Sequence, residues 1–112
     1  MKKTPLHIAA HRGDLDVVKL CLKYGANVNL MDCHNQTALH LAAYGGHIDE
    51  IKELLDCKAD VNTRDKHGKT PLHIAADSGD LDAVKTCLKY GADVNLVDCH
   101  NPTAIYIAIS SS

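Results

Sequence analysis

The sequence predicts an all-α solenoid, a stack of helix-turn-helix units with a hairpin-like loop projecting from each. Three observations carry this. The stretch Thr4-Pro5-Leu6-His7-Ile8-Ala9-Ala10 returns as Thr37-Ala38-Leu39-His40-Leu41-Ala42-Ala43 and as Thr70-Pro71-Leu72-His73-Ile74-Ala75-Ala76, and a worn copy runs from Thr103 to Ile109. Their starts, 4, 37, 70 and 103, lie 33 residues apart each time, a period that marks a stacked array. Phe and Trp are both absent, so the core must be aliphatic, which suits a thin solenoid better than a large globular interior.

The elements follow in order. Thr4 is placed to cap a helix through its hydroxyl, and Pro5 takes the first helical position, where its missing N–H costs nothing. Gly13 ends this helix after about two turns, a length that cannot stand alone in water. Asp14 caps a second helix, Leu15 to about Tyr24, whose Leu15, Val18, Cys21 and Leu22 share one face. Gly25 then suits a left-handed C-terminal position. Asn27-Val28-Asn29-Leu30 reads as extended, and Asp32-Cys33-His34-Asn35 as a turn with Asn35 at the position that tolerates positive φ.

Repeat one thus spans 4–36, repeat two 37–69 and repeat three 70–102, with a partial unit at 103–112, all in a single domain over 1–112. Repeat two has Lys58 where Gly25 and Gly91 stand. A lysine in the left-handed region costs about 1 kcal/mol relative to glycine, so this helix end is expected to be looser or differently shaped. Repeats one and three agree at 26 of 33 positions, differing at 11/77, 12/78, 17/83, 20/86, 27/93, 31/97 and 36/102. Repeat two is much less like either, which points to duplication of a two-repeat unit.

The bulk composition excludes several classes. A net charge of −2 lacks the basic excess of a nucleic-acid binder. No apolar run approaches the roughly 18 residues of a membrane span, and the residues after Met1-Lys2-Lys3 are too broken by Pro5, His7, His11 and Arg12 for a signal peptide. Five cysteines, an odd number without disulfide-like spacing, favour reduced thiols and an intracellular setting, cytoplasm or nucleus.

These residues resemble the ankyrin repeat, and the match covers nearly the whole chain. The family pattern appears as Thr70-Pro71-Leu72-His73, Ala75-Ala76, Gly79, Gly91-Ala92-Asp93-Val94-Asn95 and Asp98 through Thr103. Departures are Lys58 for glycine, Asn35 and Asn101 for the hairpin glycine, Cys21 and Cys87 for leucine, and Tyr106 for the histidine. The resemblance implies an ankyrin-type solenoid that binds a partner protein through its hairpin tips and the concave face of its first helices. It also implies that His7, His40 and His73 are structural, bonding neighbouring loops. Asn62, following Leu54, Asp60 and Val61, is by the same resemblance a candidate for asparaginyl hydroxylation.

The expected partner-binding strip carries His11, Arg12, Met31, Cys33, His34 and Gln36 in repeat one. Repeat two supplies Tyr44, Arg64, Lys66, His67 and Lys69, and repeat three Asp77, Ser78, Val97, Cys99, His100 and Pro102. Arg64, Lys66 and Lys69 make a basic centre, so the partner is expected to offer an acidic segment. Loop imidazoles at 34, 67 and 100 would make binding pH-dependent.

No catalytic or cofactor signature competes. His7 and His11 are spaced four apart as in zinc helices, but no glutamate stands at position 8 and no third ligand is evident. Cys33-His34 and Cys99-His100 lie two repeats apart, on the order of 20 Å at helix-packing distance, too far to share one ion. Cys21 and Cys87 read as core fillers, and Cys57 has no histidine to activate it. The reading is a non-catalytic interaction module without cofactor. Its rival is an excised or engineered array without an evolved partner. Leu6 and Ile8 at one end, and Ile105 and Ile107 at the other, are expected to be open, inviting weak head-to-tail self-association.

Overall fold

A computed structural model describes residues 3–96. The expectations at Val97, Cys99, His100 and Pro102, and those for the partial unit with Ile105, Tyr106 and Ile107, lie outside these residues. Among the described residues, six helices form three antiparallel pairs: α1 (Pro5–Arg12) with α2 (Leu15–Lys23), α3 (Ala38–Gly45) with α4 (Ile48–Asp56), and α5 (Pro71–Asp77) with α6 (Leu81–Lys89). The first helices pack in one layer, α1 on α3 and α3 on α5, and the second helices in another, α2 on α4 and α4 on α6. This is the all-α solenoid that the period predicts.

Each first helix is started by a reciprocal box of hydrogen bonds. The hydroxyls of Thr4, Thr37 and Thr70 accept from the N–H of His7, His40 and His73, while each histidine Nδ1 accepts from the threonine N–H. Asp14 and Asp80 cap α2 and α6 by accepting from Val17 and Ala83. The alanine pairs let the layers approach: Ala10, Ala42 and Ala75 are fully buried, with Ala43 and Ala76 almost so. Around them Leu39, Ile51, Leu54, Leu72 and Ile74 form a continuous aliphatic core.

Four expectations are corrected. Asn27 to Leu30 is not extended but a turn, closed by the Leu30 N–H on the Asn27 carbonyl at 3.2 Å. The end of α4 at Lys58 is shaped like its counterparts. Lys58 takes φ 71°, against 89° and 92° for Gly25 and Gly91. Ala59 closes onto Leu54 at 3.0 Å as Ala26 does onto Cys21. The carbonyls of the buried Leu54 and Leu55 accept from the Ala59 and Lys58 N–H groups and hold the turn in the left-handed shape despite the lysine Cβ. Leu6 is not open, being only 3 % exposed between α1 and its neighbours, whereas Ile8 on the outer side is 44 % exposed. Finally, Cys21 is only half-buried, unlike Cys87, because among the described residues no unit covers the outer side of α2.

Candidate protein-binding surface

Two hairpin tips form the projecting edge. In each, an aspartate turns inward and ties the loop: Asp32 Oδ1 accepts from the N–H groups of His34 (2.8 Å) and Gln36 (3.0 Å). Asp65 Oδ1 does the same for His67 (2.8 Å) and Lys69 (3.0 Å). Asn35 at φ 60° stands where Gly68 takes 78°, as the turn requires. Burial alone would raise the Asp32 pKa. The Gln36 and His34 N–H groups and the Lys3 ammonium, 3.2 Å from Oδ2, overcome it and hold the carboxyl below its usual range.

The tips are joined to each other and pinned to the helices. The Lys66 N–H donates to the His34 carbonyl at 3.1 Å, so the two loops run side by side. From below, Nε2 of His7 lies 2.9 Å from the Leu30 carbonyl and 3.2 Å from that of Gln36, and Nε2 of His40 lies 2.9 Å from that of Lys69. With Nδ1 accepting from a threonine N–H, Nε2 must carry the proton, and it donates to these carbonyls. Burial pushes the His40 pKa down, more than the Lys69 carbonyl and the nearby Asp65 and Asp32 push it up. These histidines are loop pins, as the resemblance implies.

His11, Arg12, Met31, Cys33, His34, Tyr44, Arg64, Lys66, His67, Asp77 and Ser78 are exposed, while Gln36 and Lys69 are half-buried. The basic centre is narrower than the residue types suggest. Lys69 Nζ sits 3.0 Å from Asp77 Oδ2, so its charge is matched within the molecule and Arg64 and Lys66 carry the outward positive field. Beside this pair, burial together with Asp65 and Asp77 raises the Tyr44 phenol pKa despite Lys69. Asn62 is half-buried; its N–H bonds Asp60 and its Oδ1 accepts from the Asp93 N–H at 2.8 Å.

One contributor escapes the sequence reading. His47 replaces the capping aspartate of the other units and makes no side-chain cap. Its Nε2 instead reaches the His11 carbonyl at the end of α1, at 3.1 Å, fixing the helix end that presents His11 and Arg12. The ring lies in a slot left by two glycines; a Cβ on Gly13 would come within 2.6 Å of it, and one on Gly45 would overlap it. The only available signal was a histidine where its two counterparts are aspartates.

Two of the described thiols are held in the protonated form. Cys87 is fully buried and its pKa is pushed up to about 12, by burial first and then by Asp80. Cys57 is exposed, but what burial it has, with Glu53 and Asp56, raises its pKa as well. Among the described residues, no three His, Cys, Asp or Glu side chains gather as a metal would need.

A family model for ankyrin repeats in three copies matches residues 1–65 and again 51–112. The chain belongs to the ankyrin repeat family. Ankyrin repeats are in general protein–protein interaction modules and typically non-catalytic, so the exposed edge is the ankyrin surface to consider first. A comparison with curated proteins gave no match. No helix among the described residues of this ankyrin chain is long and apolar enough to cross a membrane.

Proposed function

We propose that this chain is a non-catalytic adaptor that receives an acidic segment of another protein across its hairpin tips and the ends of its first helices. The observation that carries this reading is the sorting of charge at the tips. Asp32 and Asp65 are turned inward and occupied by backbone N–H groups, while Arg64 and Lys66 face outward beside His34 and His67. An anionic peptide laid along the two tips meets the Arg64 and Lys66 cations while the tip carboxylates of Asp32 and Asp65 are turned away from it, which favours its approach and register. Tyr44, 49 % exposed at the end of α3, supplies the aromatic contact area typical of binding hot spots. The free thiols of Cys21, Cys33, Cys57 and Cys87 support a reducing, intracellular compartment.

The test is a panel of acidic, neutral and basic peptides titrated against the intact chain by fluorescence anisotropy. The acidic members should bind best. Lys66→Glu should weaken them about tenfold, a loss of ~1.4 kcal/mol at one charge contact. Asp77→Ala should strengthen them by removing the exposed carboxylate that matches the Lys69 charge. Equal affinity across the panel, unmoved by Lys66→Glu, would sink the acidic-partner reading.

A further inference from the structure

The outer side of repeat one presents apolar side chains whose counterparts in repeat three are covered. Ile8 is 44 % exposed, against 4 % for Leu41 and 2 % for Ile74; Val17 is 38 % exposed, against none for Ala83; Leu20 is 56 % exposed, against 7 % for Thr86. Among the described residues nothing lies over this side. It also contains a cleft of about 300 Å³ whose lining includes Pro5, Cys21, Tyr24, Asn27 and Leu30.

We propose that this side of repeat one is a docking face for a further ankyrin-type helix pair built like repeat two, carrying a carboxylate at the place of Asp56 and a carboxamide at the place of Asn62. The occupant is identified by an interface already within the molecule. Repeat three, identical to repeat one at 26 of 33 positions, docks on repeat two. There the Tyr90 hydroxyl donates to Asp56 Oδ1 at 2.6 Å, and the Asp93 N–H donates to Asn62 Oδ1 at 2.8 Å. The counterparts in repeat one are Tyr24, 79 % exposed, and the N–H of Asn27, and both residues line the cleft.

The carboxylate singles out a repeat-two type of unit. Repeats one and three have Lys23 and Lys89 at that position. The carboxamide contact is shared, since Asn29 Oδ1 accepts from the Asp60 N–H at 2.7 Å between repeats one and two. The tyrosine contact is not, because Cys57 stands in place of tyrosine there. Two of the seven differences between repeats one and three fall on this side, Val17 for Ala83 and Leu20 for Thr86. Both enlarge its apolar area, the reverse of what a permanently solvated end calls for. They also require smaller side chains opposite them than repeat two offers to the fully buried Ala83. A second intact copy of the chain fits poorly, because its own Asp56 and Asn62 are already engaged by Tyr90 and Asp93.

The test extends the chain in phase, joining a copy of residues 37–69 directly ahead of Thr4. It is made both in the natural background and with Val17→Ala and Leu20→Thr, which relieve any crowding. A matched control carries Asp56→Lys and Asn62→Ala in the added copy alone. Tyrosine iodination mapped by mass spectrometry and denaturant unfolding are the readouts. The proposal expects a single cooperative transition at a higher midpoint and Tyr24 modified about tenfold more slowly, with the control losing most of both. A separate early transition with Tyr24 still fully reactive in both backgrounds would overturn it. So would a concentration-dependent dimer of the unextended chain that protects Tyr24, since that makes a second copy the occupant.

Discussion

His40 shows how much one side chain holds. It is fully buried, its Nδ1 accepts from Thr37 and its Nε2 donates to the Lys69 carbonyl. The Nδ1 contact requires the neutral ring, since a protonated imidazole has no acceptor nitrogen, and burial depresses its pKa from the ordinary 6.5. The unfolded imidazole therefore binds more protons near and below pH 6.5. The stabilisation is complete above that value and is lost as pH falls through the folded pKa. Urea midpoints should fall between about pH 7.5 and 5.5, and the slope should shrink in His40→Gln. His40→Ala leaves the buried Thr37 N–H without its acceptor and strips the Lys69 carbonyl of one of its two donors, the Asp65 N–H at 3.0 Å remaining, and should cost about 1–3 kcal/mol. Asp32, held below its ordinary 3.8, works in a lower window, stabilising above 3.8 and ceasing to as pH falls through the folded value. Thiol chemistry separates by the same physics. Iodoacetamide at neutral pH should label Cys33 and Cys57 in the folded protein and Cys87 only after unfolding, as peptide mapping would reveal.

Helix ends are where the elements of this chain differ. The left-handed residue after α4 is Lys58 at φ 71°, in a turn otherwise the same as those at Gly25 and Gly91. Lys58→Gly should therefore stabilise the protein by about 1 kcal/mol, read as a higher denaturant midpoint with unchanged m value. No gain would mean that the lysine makes contacts offsetting its strain. The start of α4 differs too. His47 gives up the cap that Asp14 and Asp80 provide and bonds the end of α1 instead. Replacing it with aspartate should restore the cap within repeat two and loosen the α1 end beside the binding strip. Hydrogen exchange at the C-terminal amides of α1 would then quicken, while α4 would be better protected.

For the molecule as a whole, the stacking of units turns loop positions into one continuous edge. Hairpins meet through Lys66 and His34, and units meet through Asn29 with Asp60 and Asn62 with Asp93. Binding along that edge should be electrostatic in character. Raising salt from about 0.05 to 0.5 M shortens the Debye length to a few ångströms and should weaken an acidic partner several-fold, as isothermal titration would measure. An affinity indifferent to salt would shift the weight to Tyr44 and Met31.

The sequence by itself determined the period, the helices of the described residues and their threonine and aspartate caps, because the capping residues and the helix-ending glycines act within four residues of their partners. It also pointed to the exposed strip, since its residues recur at equivalent loop positions. It could not decide contacts that cross from one unit to the next. That Lys69 spends its charge on Asp77, that His47 reaches His11, and that Leu6 is covered while Ile8 is not all followed only from the stacked structure. The reason is physical: the partners in such contacts lie up to 36 residues apart along the chain, and stacking alone brings them within hydrogen-bonding reach.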